Sequence, residues 1–128
     1  MKKTRSQIGR MSRNKGKRFE LACRDIMADI SGWRYWKRTQ RGDAQTQGDL
    51  VPDKGPHNEG NPWYYVECRA RGELSLAVLK RWYLEVKAKS KAISSDYWVL
   101  LARQDRGPIL AICSWLNEDN HKLVARLY

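Results

Sequence analysis

Acidic residues, histidines and long apolar runs are scarce in this 128-residue chain, and each shortage narrows the classes of protein to consider. No apolar run approaches the ~20 residues that a membrane-spanning helix needs, so we expect no membrane span. The first residues lack the apolar stretch of a signal peptide, which favours a cytoplasmic protein. The two histidines have no partner at the spacing of a catalytic triad or a zinc site.

The three cysteines, Cys23, Cys68 and Cys113, form no CxxC pair and have apolar neighbours. This usage is typical of small buried side chains in a reducing compartment. A chain of this length can bury one hydrophobic core without disulfides or a structural metal. We therefore expect a single domain over residues 14–128. Before it, residues 1–13 form a basic N-terminal arm that could hold a DNA backbone or simply be disordered.

Positive charge is what the chain has in excess. Its 25 Lys and Arg against 14 Asp and Glu give a formal net charge of +11. An excess this large in a small domain produces a field that attracts phosphate groups. Nucleic acid is therefore the first candidate partner, and a soluble basic protein without such a partner is the alternative.

Apolar periodicity and turn residues predict an α/β chain. The apolar stripe of a first helix, over residues 14–30, consists of Phe19, Cys23, Ile26 and Ile30. Strands are expected over residues 33–38, 49–51, 63–69, 97–102 and 109–113, and a second helix over residues 75–89.

In the second helix, Ser75 is expected to cap the first turn and Lys89 to lie on the outer side. The turn-rich residues 53–62 are expected to join two strands of a hairpin. The order of elements predicts a central mixed sheet of about five strands with helices packed on it.

Two short segments place acids in the layout of a metal-dependent nuclease. One segment, Gly48-Asp49-Leu50-Val51, sets an acid before an apolar step, and the other is Val66-Glu67-Cys68-Arg69. The two-residue repeat of a strand points Glu67 and Arg69 to one face, and Val66 and Cys68 to the other. Burying Glu67 in so apolar a run is costly unless a cation or a metal compensates its charge.

These segments resemble the PD-(D/E)xK nucleases and, within them, the small Holliday junction resolvases of archaeal and phage type. The resemblance also includes Lys15-Gly16-Lys17-Arg18-Phe19-Glu20, the arginine-bearing residues 36–42 and the order of elements. It implies a restriction-endonuclease-like fold and a homodimer that cuts four-way or branched DNA with Mg²⁺. The protein would act in a prokaryotic cell or a phage-infected host. Two alternatives stay open: a general repair or restriction-like endonuclease of the same fold, and a non-catalytic basic nucleic-acid-binding protein.

Phosphodiester hydrolysis needs an activated water and positive charge beside the phosphate, which oxygen-ligated Mg²⁺ supplies. We expect Mn²⁺ to be able to substitute. The expected ligands are Asp49, Glu67, the backbone carbonyl of Cys68 and, through a water, Glu20. Arg69 stands where the family most often has lysine. Because arginine stays charged, it would position the attacking water or stabilise charge.

The expected catalytic residues are therefore Glu20, Asp49, Glu67 and Arg69. Simpler roles stay open, since Asp49 could be a turn residue and Glu20 could pair with Arg24 four residues on. The residues expected to contact DNA are Lys15, Lys17, Arg18, Arg38, Arg41 and Arg71.

Overall fold

Two α-helices and six strands are found in the residues that the structure, a computed structural model, describes: 5–39, 48–53, 63–118 and 123–128. Side chains are described from residue 16 onward. The first half of the chain contains helix α1 (Arg5–Ser31) and strands β1 (Trp36–Arg38), β2 (Leu50–Pro52) and β3 (Tyr64–Arg71). The second half contains helix α2 (Leu76–Ala92), β4 (Tyr97–Gln104), β5 (Ile109–Cys113), a short 3-10 helix (Ser114–Leu116) and β6 (Arg126–Leu127).

The observed order of elements follows the predicted order, with β6 added near the C-terminal end. The α/β class is confirmed. Helix α1 begins at Arg5 rather than near residue 14, because its early Arg, Gln, Met and Lys residues favour helix without forming an apolar stripe. Ser75 caps α2 as predicted, and its hydroxyl accepts a hydrogen bond from the Val78 N–H at 3.2 Å.

The strands form a four-stranded and a two-stranded sheet rather than one sheet of about five strands. In the larger sheet, β3 pairs parallel with β4, while β4, β5 and β6 pair antiparallel, so this sheet is mixed as predicted. In the smaller sheet, β1 and β2 pair antiparallel. A parallel bridge between Gly48 and Val66 connects the two sheets.

The hairpin predicted around residues 53–62 is wrong, because β2 pairs with β1 and its described link to β3 is parallel. Two antiparallel strands can be joined by a tight turn, whereas two parallel strands need a long connection. Most of this segment, residues 54–62, lies outside the described residues.

Each face of the larger sheet is covered by one helix, which gives the chain two buried cores. Val66 of β3 packs in the core formed with α1, beside Cys23 and Met27. Tyr65, one residue earlier, packs in the core formed with α2, beside Trp82 and Val86. The alternation predicted for β3 is therefore confirmed. Among the described residues, no helix combines the length and apolar composition that a membrane span requires.

Candidate active site

A glycine places Asp49 against strand β3. Gly48 has a φ of +82°, a conformation that side chains disfavour, and a Cβ there would lie 2.5 Å from the Val66 carbonyl oxygen. This close approach lets the Asp49 N–H donate to that oxygen at 2.7 Å. The Asp49 Oδ2 in turn accepts from the Cys68 N–H at 2.8 Å. Asp49 is thus fixed beside the strand that carries Glu67.

The electrostatic surroundings of Asp49 raise the pKa of its carboxyl group. Burial is the largest cause, because it disfavours the charged form. The Cys68 N–H lowers the pKa, and the negative charge of Glu67 raises it again. The positive charges of Arg69 and Lys89 also lower it. These interactions put two acids and two cations in one small region, and carboxyl groups with perturbed pKa values are frequent at functional sites.

Four hydrogen-bond donors share the carboxylate of Glu67, a residue that is only 5% exposed. Oε1 accepts from the Tyr65 hydroxyl at 2.6 Å and from the Lys89 amine at 2.9 Å. Oε2 accepts from Arg69, whose Nε lies at 2.9 Å and whose Nη2 lies at 2.7 Å. Burial alone would raise the pKa of Glu67, but these hydrogen bonds and charges outweigh it and lower the pKa. Two cations of the chain therefore offset the cost of burying this acid.

Arg69 connects β3 to helix α2. Its Nη1 donates to Glu85 at 2.6 Å, and its guanidinium carbon lies 5.5 Å from the centre of the Trp82 ring. Burial opposes the charge on Arg69, yet the hydrogen bond to Glu85 and the charge of Glu67 outweigh it and raise the pKa. Most of the guanidinium donors are thus engaged within the protein. This geometry is that of a residue that positions Glu67.

Lys89 is the residue of the candidate site that the sequence did not predict. Its predicted position on the outer side of α2 is wrong, since its amine contacts the buried Glu67. Its helical spacing indicates this position. Lys89 follows Val86 by three residues and Trp82 by seven, so it lies on the same side of α2 as these two buried residues. The Lys89 side chain is 46% exposed, so its amine contacts Glu67 from the solvent side.

Glu20 forms ion pairs with two arginines. It pairs with Arg24 at 2.5 Å, as the spacing of four predicts, and with Arg38 at 3.9 Å. In the part of the chain that the structure describes, no group of three or more His, Cys, Asp and Glu side chains could hold a metal.

The remaining two-carboxylate arrangement fits Mg²⁺, which keeps several waters and often binds one or two carboxylates together with substrate phosphates. Glu67 can take part only if Lys89 leaves Oε1. The exposed, flexible side chain of Lys89 permits that movement. Cys68 lies on the same strand as Glu67, and its backbone N–H donates to Asp49. The Cys68 thiol lies in the core beside Cys23, and the contact between the two thiols raises the pKa of Cys68.

The residues expected to contact DNA lie in several parts of the structure. Lys17 and Arg18 are exposed on α1, and Arg71 is exposed at the end of β3. The Arg38 side chain is 77% exposed at the end of β1, within reach of Glu20. Arg41 lies outside the described residues, as does the side chain of Lys15.

No family model, curated protein or solved structure matches this chain.

Proposed function

We propose that this chain is a metal-dependent DNA endonuclease of the PD-(D/E)xK type, in which Asp49 and Glu67 hold Mg²⁺ beside the phosphate that is cut. The observation that carries the proposal is the hydrogen bond from the Cys68 N–H to Asp49, because Cys68 directly follows Glu67 on β3. The two carboxyl groups are close enough for the charge of Glu67 to raise the pKa of Asp49.

The residues around the acids have different roles in binding and in orientation. When bound, Mg²⁺ would polarise the phosphate and lower the pKa of an attacking water. The Cys68 N–H orients Asp49, while Tyr65 and Arg69 orient Glu67. These contacts hold the carboxylates in place before substrate arrives, which reduces the ordering needed in the reaction.

We assign to Lys89 the cationic role that the resemblance predicts for Arg69. Arg69 stays between Glu67 and Glu85, so few of its donors remain for a substrate. The Lys89 amine can leave Glu67 for a phosphate oxygen, because it reaches the site on an exposed side chain. A positive charge placed there stabilises the negative charge that develops on the phosphate during hydrolysis.

We further propose that the substrate is branched DNA, most specifically a four-way junction bound by a homodimer. The support is the resemblance of the acid segments to junction resolvases and the net charge of +11. A two-fold symmetric dimer would present two equivalent sites to two strands.

The test incubates the purified protein with labelled four-way, forked and linear DNA, with and without Mg²⁺, beside the Asp49→Asn variant. We expect Mg²⁺-dependent cutting of the four-way substrate that Asp49→Asn abolishes without loss of DNA binding. Equal cutting of linear DNA would identify a general endonuclease instead. Cutting by Asp49→Asn at the wild-type rate would contradict the proposed site.

A second candidate, a non-catalytic nucleic-acid-binding protein, is favoured by one observation. All four donors on Glu67 come from the chain itself, so its charge is already compensated. This candidate predicts DNA binding that weakens steeply with salt and no cleavage with either Mg²⁺ or Mn²⁺.

A further inference from the structure

A cavity of about 320 Å³ lies at the carboxyl ends of the parallel strands β3 and β4. Phe19 of α1 and Ala70 of β3 form apolar parts of its lining, and its charged groups are Arg71, Arg103 and Asp105. In open α/β sheets, ligands bind outside the carboxyl ends of parallel strands. The volume is at the lower end of the range of small-molecule pockets. The cavity therefore has the place and the size of a ligand site.

Both elements that line this cavity also carry residues of the candidate active site. Ala70 follows Cys68, whose N–H holds Asp49, by two residues, which is ~6.6 Å along an extended strand. On α1, Phe19 directly precedes Glu20. A DNA strand that runs along β3 from Asp49 would thus pass the cavity.

The arginines give the cavity the chemistry of a phosphate site. The Nε of Arg103 is buried and has no hydrogen-bond partner within the described residues. A buried donor without an acceptor is unfavourable, so an acceptor supplied by a ligand would be stabilising. Arg71, at the end of β3, is exposed and also lines the cavity, and the planar fork of a guanidinium matches phosphate oxygens. Asp105 is the single described acid of the lining, against two arginines.

We propose that this cavity binds one nucleotide unit of the DNA strand that enters the active site. Arg71 and Arg103 hold its phosphate, and the sugar or base lies against Phe19 and Ala70. The identity of the strand as substrate rests on the proposed function, but binding at the cavity needs neither a metal ion nor cleavage.

The test is a titration of the full chain, without divalent ions, followed by ¹H–¹⁵N NMR. The probes are dAMP, the dinucleotide dApA with its internal phosphate, deoxyadenosine and inorganic phosphate. We expect dAMP and dApA to shift the amide signals of Gly16, Ala70 and Gly72 at lower concentrations than the other two. No shift at these amides would overturn the proposal, as would equal shifts from inorganic phosphate or a lack of response to dApA.

Variants separate the cavity from general charge attraction. Arg103→Met should weaken dAMP binding by about tenfold or more, and Arg71→Met gives a second variant at an exposed position that does not depend on the buried side chain. Arg81→Met removes an exposed arginine on α2 and should leave binding unchanged. Equal losses in all three variants would overturn the proposal. DNA cleavage by a wild-type protein that binds no nucleotide at the cavity would overturn this inference alone, whereas nucleotide binding without any cleavage would overturn only the endonuclease.

Discussion

The amine of Lys89 on helix α2 donates to the carboxylate of Glu67 on strand β3 at 2.9 Å. This contact brings a lysine to the acid of the second motif, although the motif itself ends in Arg69. It also joins the helix to the candidate active site, because Glu85, one turn earlier, holds Arg69. The cations of the site therefore come from two elements and have two different tasks.

Replacing Lys89 by methionine should lower the rate of Mg²⁺-dependent DNA cleavage by about 10²-fold, because the variant lacks the charge assigned to the transition state. DNA binding should change little, since one charge of many is lost. Single-turnover cleavage and fluorescence anisotropy measure the two quantities separately. The matched control is Lys91→Met, which removes an exposed lysine of the same helix. Equal rates for Lys89→Met and Lys91→Met would refute the role of Lys89.

Gly48→Ala should destabilise the fold and displace Asp49. A φ of +82° costs a non-glycine residue about 1–3 kcal/mol, and the new Cβ would in addition meet the Val66 carbonyl oxygen. The control is Gly16→Ala, at a helical position where a Cβ meets nothing within 4 Å. That change should raise the free energy of unfolding by up to ~1 kcal/mol. Urea denaturation of both variants compares them directly, and equal stability would contradict the close approach.

The contribution of Glu67 to stability should depend on pH. Its pKa in the folded protein is lowered from the ordinary value of 4.5, so the folded state favours the charged carboxylate. This stabilisation is complete above pH 4.5 and is lost as the pH falls through the lower, folded-state pKa. In EDTA, Glu67→Gln should therefore be less stable than wild type by about 1–3 kcal/mol at neutral pH, and the difference should shrink in acid. A difference that is constant from neutral pH into acid would contradict the network.

The exposed cations of α1 should contribute to DNA binding without sequence preference. Replacing Lys17 and Arg18 together by methionine should reduce the slope of log binding constant against log salt by about 1.8, if each contacts one phosphate of duplex DNA. Anisotropy titrations between low and moderate salt give this slope. An unchanged slope would place both side chains away from the DNA.

The sequence was sufficient for much of the local structure and for the placement of Glu67 on its strand. The alternation around Glu67 follows from the two-residue repeat of a strand, and Ser75 caps α2 because its hydroxyl suits that role. The order of the main elements was also predictable, since their apolar periodicities are strong.

Long-range pairing was not predictable, because it depends on how separate elements meet. The parallel bridge between Gly48 and Val66 joins two segments that are distant in the chain, and no local pattern predicts that they pair. Lys89 was misplaced for a different reason: a lysine was assigned to solvent by residue type, although its helical spacing placed it on the face of Trp82. The pairing of Glu20 with Arg38 likewise needed the position of β1 relative to α1.

Binding of a divalent ion by Asp49 and Glu67 is the central claim, and Mn²⁺ titration followed by electron paramagnetic resonance tests it most directly. We expect the wild-type protein to bind Mn²⁺ at one site, which lowers the signal of free Mn²⁺. The Asp49→Asn and Glu67→Gln variants should lose that site. Lys89→Met should bind Mn²⁺ more tightly, because the Lys89 amine no longer competes for Glu67. A wild-type protein that binds no more Mn²⁺ than the Asp49→Asn variant would contradict the claim.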